Sequence, residues 1–329
     1  MPSFSLFLTR TIFWNWLPDG IQQTFIKAIL SKNRFFSSMN KGEKDNFLKS
    51  INYPVRLPKD QRSNKQFFSC EIIVVAARKD FALLHLTIPY AVKALGEMNT
   101  RKITLVTPER DLDTLTDILK KLEIHYRAKI ELKTDEQIIN QENMEKLSQM
   151  FPNRKGWIAQ QILKLICCMN SECEYAFVVD ADTLILRKRD FVNKNKDKHA
   201  LFPSEELNSS YYTFLHNFKI CPAAPNSTFI SHQIFLQPKI LIDYAKHFGF
   251  SSVDEILEKL ALVPDEQRSA SSVCIDFEFY AQSALSSNPD SVYLLKWGNV
   301  SFVNRNTRIS SLVAKLLRPF VCSISFHRR

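Results

Sequence analysis

The chain predicts an α/β fold, with a mostly parallel central sheet flanked by helices and preceded by an N-terminal extension. Three observations lead there. From Glu71 onward, short apolar runs alternate with helical patterns, and a βαβα order implies parallel strands. The runs are continuous rather than alternating, as expected of strands buried on both faces. With 329 residues and 45% hydrophobic content, the chain can fill one large α/β domain with additions.

The division falls at residue 66. Residues 1–66 form a basic, aromatic-rich extension and linker, and residues 67–329 form the main domain. In the extension, Ile21, Phe25, Ala28 and Ile29 share one helical face, near Lys27, Lys32 and Arg34. Such a helix suits a membrane surface or a partner; packing of its aromatics onto the main domain is the other reading. Residues 37–66 are polar and read as a linker or a surface-wrapped segment.

Within the main domain, Ile72–Ala76 is the first strand. Phe81 to Leu95 has helical spacing, with Pro89 inside it, so this helix kinks or starts near Thr87. Ile103–Thr107 is the second strand and 111–123 the next helix. Ala128–Leu132 is the third strand, followed by a polar helix over about 136–150. Trp157–Ile166 places Ile158, Ile162, Leu165 and Ile166 on one face. It leads into the strand Tyr175–Val179. Beyond Leu186 the pattern loosens. His199–Phe202 is a short strand, 204–230 a loop, and Pro238–Phe248 a helix. Ser252-Val-Asp-Glu255 is a capping box opening another helix. Ile275–Leu285 is helical, and Ser291–Trp297 and Phe320–Phe326 are strands.

The most informative feature is Asp180-Ala-Asp182, directly after Tyr175–Val179. Carboxylates two apart on a strand point to one face, and ligands bind at the carboxyl ends of strands in open α/β sheets. Unit charges about 4 Å apart repel by roughly 4 kcal/mol at an effective dielectric near 20. A hard divalent cation with oxygen ligands is the natural neutraliser, and it would hold a substrate's phosphates. Asp111-Leu-Asp113 has the same spacing but opens a helix, where acids read as cap and first-turn residues.

Other classes lose ground. No Gly-x-Gly-x-x-Gly and no Gly-x-x-x-x-Gly-Lys-Ser/Thr occurs among the six glycines, which disfavours dinucleotide and Walker-type phosphate loops. The formal charge of +10 gathers in 1–66 and 305–329, which suits an anionic partner such as an acidic lipid surface or a phosphorylated substrate. Ordinary solvated termini are the bland reading. Without a recognised binding motif, nucleic acid is not expected. Seven cysteines form no Cys-x-x-Cys pair and read as reduced, mostly buried thiols. No signal peptide and no membrane span is read, so a cytoplasmic location is expected, with peripheral contact on the inner face of the plasma membrane as an extension of it.

These residues resemble GT-A-fold glycosyltransferases, and most closely a bacterial family linked to capsule and cell-surface polysaccharide. The shared segments are Arg154-Lys-Gly-Trp157-Ile-Ala-Gln160-Gln161-Ile-Leu-Lys164-Leu, Val178-Val-Asp180-Ala-Asp182-Thr183, Phe229-Ile-Ser-His232-Gln233 and Ile275-Asp276-Phe-Glu278-Phe-Tyr280. The likeness covers about 70–329 and leaves 1–66 outside. It implies a GT-A-like (Rossmann-like) sheet and a metal-dependent transfer of sugar from a UDP-, GDP- or CDP-linked donor. The acceptor would be a glycan or lipid-linked molecule, in cell-surface polysaccharide synthesis.

By the same resemblance, Asp182 would ligate Mn²⁺ or Mg²⁺, and Asp180 would bind the metal or the donor's ribose. His327 would be the third ligand, with His232 a lesser candidate. Lys164, Gln161, Arg78 and Asp80 would contact the donor. Asp276 and Glu278 would include a general base in an inverting enzyme, or would position the acceptor in a retaining one. The family pattern has Glu at both places, so Asp276 departs from it. Structural readings stand beside these: a solvated lysine for Lys164, a frayed chain end for His327, and helix capping for the Asp276/Glu278 pair. Trp297 suits a sugar face or a buried sheet edge.

Two rivals use the same features. A haloacid-dehalogenase-type phosphatase also carries Asp-x-Asp after an apolar strand. It wants Thr or Val four residues after the first Asp, where this chain has Leu184. A non-catalytic membrane-surface binding protein would keep the fold and work through its aromatic, basic N-terminus.

Overall fold

The computed structural model describes residues 61, 67–126, 130–203, 215–220, 223, 228–269, 275–295, 297–302, 318 and 322–326. Its main sheet contains β1 (Cys70–Val75), β2 (Thr100–Thr107), β3 (Ile130–Thr134), β4 (Tyr175–Val179) and β7 (Gln233–Leu236). The spatial order is β3-β2-β1-β4-β7. β1, β2, β3 and β4 are parallel, and β7 closes the edge antiparallel to β4. The fold class is thus the one the sequence predicts.

The apolar runs are continuous because each strand faces two cores. On one face, Ile72, Val74, Tyr175, Phe177 and Val179 pack with Phe81, Leu84 and Ile88 of α1 (Phe81–Leu95) and with Leu115 and Leu119 of α2 (Leu112–Tyr126). On the other, Ile73, Val75, Ala176 and Val178 pack with Ile158, Ile162 and Leu165 of α4 (Lys155–Met169). Leu241 and Tyr244 of α5 (Pro238–Phe248) and Phe279, Tyr280 and Ala284 of α7 (Phe277–Ser287) complete that layer. Alternation with period two sends neighbouring residues to opposite layers. Full burial of one such side chain is worth about 1.5–3 kcal/mol.

Several boundaries differ from expectation, each for a local reason. Helix α1 neither starts at Thr87 nor stops at Pro89; it begins at Phe81 and carries Pro89 inside. β3 is described from Ile130 and runs on to Thr134, past the expected end at Leu132; residues 128–129 lie outside the described residues. The polar helix, α3 (Gln141–Met150), also starts late. Residues 135–139 form turns, and Asn140 caps the helix by accepting from the Asn143 N–H at 2.9 Å. Asp111 ends a short 3₁₀ turn ahead of α2 and is buried; Asp113 stays in the first turn. The Ser252 cap on α6 (Val253–Ala261) is present, its hydroxyl 3.2 Å from the Glu255 N–H.

Two smaller sheets flank the core. In one, β10 (Ser323–Phe326) pairs with β5 (Thr183–Ile185) and β9 (Asn299–Phe302); in the other, β6 (His199–Leu201) pairs with β8 (Val292–Leu294). Trp297 is buried, and its indole N–H donates to Ser323 Oγ at 2.8 Å, which favours the sheet-edge reading over a sugar platform. Cys70, Cys167, Cys168 and Cys322 are buried free thiols and Cys173 is half-buried; Cys221 and Cys274 lie outside the described residues. Among the described residues, no helix is long and apolar enough to cross a membrane.

Candidate active site at the carboxyl ends of the strands

The chain runs β1, β2, β3 in one direction across the sheet and then returns to place β4 on the other side of β1. The crevice outside the carboxyl ends of β1 and β4 is therefore the topological switch point, where open α/β sheets bind ligands. Asp180 follows β4 directly. Its N–H donates to the His232 carbonyl at 3.0 Å, continuing the β4–β7 ladder by one bond. Asp180 stands at the tip of an inner strand, as expected, but Ala181 and Asp182 form the turn into β5, so the two acids share a strand-end turn rather than one face of a strand.

Five side chains from four parts of the sequence meet there. Lys164 Nζ lies 2.6 Å from Asp180 Oδ1 and 3.6 Å from Asp276 Oδ2. His232 Nδ1 lies 3.2 Å from Asp180 Oδ2. Phe277 places its ring 4.7 Å from the Lys164 ammonium, a cation–π contact in a desolvated setting. Lys164 is only 6% exposed at its side chain, which rules out the solvated-lysine reading. Burial alone would raise the Asp180 carboxyl. The Lys164 charge and the His232 hydrogen bond outweigh that and hold it well below the usual carboxylate range.

The acidic pair at the start of α7 divides its labour. Asp276 is the N-cap: its Oδ1 accepts from the Phe277 N–H at 2.7 Å while Oδ2 faces Lys164. Glu278 is fully buried, accepting from the Phe229 N–H at 2.8 Å and from Gln282 Nε2 at 2.7 Å. Burial pushes its carboxyl up to about 7. In this conformation Glu278 fastens the segment leading to His232 and presents no open face to an acceptor.

The other predicted contacts are dispersed. Gln161 is buried, and its Oε1 accepts from the Ile275 N–H at 2.7 Å, fixing the approach to Asp276. Arg78 is exposed and reaches Asp111 at 3.8 Å. Asp80 is buried at the end of the 3₁₀ turn Arg78–Asp80 that joins β1 to α1. His327 lies outside the described residues, but Phe326, just before it, donates its N–H to the Asp182 carbonyl at 2.9 Å.

Three further side chains shape the site. His232, by sequence a satisfied loop or core histidine or a lesser candidate metal ligand, pairs with Asp180 from a left-handed backbone conformation (φ 61). Such a conformation costs a non-glycine residue about 1–3 kcal/mol and is found where surroundings enforce it. Thr87 Oγ1 donates to the Ala181 carbonyl at 2.9 Å, pinning the turn between the two acids. Phe277, between Asp276 and Glu278, supplies the ring against Lys164. His232 and Phe277 lie in segments the sequence singles out; Thr87 carries no such signal.

The fit to a metal can be tested on the donor set. Asp182 and Asp180 offer oxygens of the type hard divalent cations take. Yet both Asp180 oxygens are engaged by Lys164 and His232, and among the described residues no group of three or more His, Cys, Asp or Glu side chains could hold an ion. By its chemistry the donor pair suits a cation, with any third ligand outside that set.

A family model described as a family of unknown function (DUF6492) matches residues 80–235. No curated protein matches the chain. Among solved structures, the mannosyltransferase Ktr4p from S. cerevisiae is 11% identical, with 82% of this chain and 78% of that chain covered and a TM-score of 0.49. Mouse xyloside xylosyltransferase 1 is 11% identical over 79% of this chain and 97% of that chain, with a TM-score of 0.42. The galactosyltransferase LgtC is 12% identical over 78% and 87%, with a TM-score of 0.40.

Proposed function

We propose that the chain is a metal-dependent glycosyltransferase that moves a sugar from a nucleotide-sugar to a glycan or lipid-linked acceptor. We place it in cell-surface polysaccharide synthesis, on the cytoplasmic side of the plasma membrane. The observation that carries the reading is Asp180 and Asp182 at the switch-point end of β4, with the Lys164 ammonium against Asp180.

Asp182, with Asp180, would hold Mn²⁺ or Mg²⁺, and His327, next in sequence after Phe326, would be the third ligand. When bound, the metal supplies Lewis-acid neutralisation of the leaving nucleoside diphosphate. The chain's own groups do the rest. Lys164 keeps Asp180 ionised and adds a positive charge beside the phosphates. His232 and Thr87 fix the turn and Gln161 the approach to Asp276, so the carboxylates need little reorganisation when donor arrives. Asp276 balances Lys164 and orients it. Glu278 positions the 229–232 segment.

The test is thermal stability with UDP, GDP and CDP, each with and without Mn²⁺. A ligand that binds only the folded state stabilises it by about 2.7 kcal/mol at a hundred times its Kd. At least one nucleotide is expected to stabilise only with metal, and Asp182→Asn to abolish the effect. Equal stabilisation without metal would count against the proposal.

A further inference from the structure

Lys164 stands where a divalent cation on Asp180 would have to be. Its Nζ lies 2.6 Å from Asp180 Oδ1 and 3.6 Å from Asp276 Oδ2, strung between the strand-end turn and the N-cap of α7. Hard cations take carboxylate oxygens at about 2.0–2.6 Å. A cation on Oδ1 and an ammonium bonded to that same oxygen would be positive neighbours in a place nearly closed to water, where like charges are screened least. Each excludes the other there. His232 does not stand in the way. It holds Oδ2, and a hydrogen-bond partner behind a ligating carboxylate orients the ligand rather than competing for it. Of the two groups on Asp180, only Lys164 must leave.

The side chain of Lys164 is 6% exposed, and an unpaired charge in such a setting is costly. The ammonium therefore moves to another carboxylate rather than to water, and Asp276 is within reach. A shift of about 1 Å exchanges the two distances, a small motion for a four-carbon stem with rotatable bonds. Asp276 is fixed in place to receive it. Its Oδ1 accepts from the Phe277 N–H at 2.7 Å, which anchors the carboxylate to the start of the helix. The Phe277 ring already lies 4.7 Å from the ammonium.

We propose that Lys164 is a positioning residue that holds the cation's place on Asp180 before ligands bind and transfers to Asp276 when a divalent ion and a nucleoside diphosphate arrive. That these are the ligands rests on the glycosyltransferase reading; the exchange between the two carboxylates rests on the geometry. The ion alone must displace an ammonium from a 2.6 Å contact. The diphosphate offsets that displacement by adding negative charge on the ion's other side. Ion and nucleotide then raise each other's affinity by the same factor, and neither is held well alone.

The test is paramagnetic resonance of Mn²⁺ titrated into the full-length protein, with and without UDP, GDP or CDP. The wild type is expected to bind Mn²⁺ at least tenfold more tightly with one of these nucleotides than alone. Lys164→Met should tighten nucleotide-free binding at least tenfold. Asp276→Asn keeps a capping side chain but removes the receiving charge, and should weaken capture at least tenfold. Charge alone would give both single effects, so the double variant decides. In the Lys164→Met background, Asp276→Asn should change Mn²⁺ affinity less than twofold, because the acid then has no ammonium to receive. An undiminished loss there would overturn the exchange, as would equal nucleotide-free affinity of Lys164→Met and the wild type. Crystals of the wild type with Mn²⁺ and nucleotide give a reading that needs no variant: Lys164 Nζ nearer Asp276 than Asp180 is expected, and Nζ still on Asp180 would overturn the proposal. Capture by the wild type together with any of these failures leaves the glycosyltransferase reading standing. No capture by any of these proteins, with nucleotide or without, overturns both.

Discussion

The main sheet carries a cluster of carboxylates and lysines at each end, and the two are built differently. At the amino ends of the strands, Glu71 pairs across the sheet with Lys102, and Thr104 with Glu131. Lys102 contacts Glu131 and lies 3.7 Å from Glu71, and Thr104 donates to Glu71. These are cross-strand neighbours: Glu71 and Thr104 are buried, but the cation is not enclosed, the Lys102 side chain being 37% exposed. At the carboxyl ends, Lys164 is almost fully enclosed between Asp180 and Asp276, which are 16 and 112 residues away in sequence. The first cluster follows from strand register and does for a sheet what such pairs ordinarily do, about 0.2–1 kcal/mol each. The second needs a helix, a strand end and a helix cap to converge, and takes charges out of water to do so. The lesson is that the two clusters differ in their cation: Lys102 stays in contact with water above a buried Glu71, whereas Lys164 is withdrawn from solvent together with its carboxylates.

The comparison predicts a graded set of effects. The largest belongs to Lys164→Met, which leaves the buried Asp276 and the partly buried Asp180 without their cation; chemical denaturation should show a loss of about 3 kcal/mol. A loss below about 1 kcal/mol would mean the two ends are energetically alike.

Next comes the pH dependence of Glu278. Its folded value is raised to about 7 from 4.5, so the folded state keeps a proton that the unfolded chain releases. The stabilisation is complete below about pH 4.5 and is lost as pH rises towards 7, a span of about 3 kcal/mol. Buried His199 works in the opposite sense. Burial depresses it from 6.5 to about 3, so its contribution is present above 6.5 and lost as pH falls. The two partly cancel in the wild type. Glu278→Gln should therefore gain on the wild type by about 3 kcal/mol between pH 4.5 and 7, and parallel stability curves for the two proteins would remove Glu278 from the account.

The smallest effect is that of Lys102→Met at the amino ends, about 1 kcal/mol and weakened further by salt, because Lys102 is part-exposed and the buried Glu71 keeps its bond from Thr104. A salt-insensitive loss equal to that of Lys164→Met would erase the contrast.

Much of the frame was legible because burial on both faces writes itself as unbroken apolar runs. Tyr175–Val179 and the aspartates after it could be placed at a strand end without coordinates. The edge strand Gln233–Leu236 could not, since four residues before a proline give no period to read. The Lys164–Asp276 contact was equally hidden, because helix periodicity fixes a face but not what a segment 112 residues later will bring to it. The role of Glu278 was out of reach for the same reason: its spacing from Asp276 says capping or catalysis, and only the buried Phe229 N–H decides that it clamps a backbone. His232 needed the backbone angle itself.

The direct test is paramagnetic resonance of Mn²⁺ titrated with the protein in the presence of the nucleoside diphosphate that thermal stability selects. The free-ion signal should fall to a stoichiometry of about one per chain with wild-type protein and nucleotide together, and should stay near its free level with Asp182→Asn. Capture of the ion equally by the variant, or no capture by the wild type, would contradict the assignment of the two aspartates.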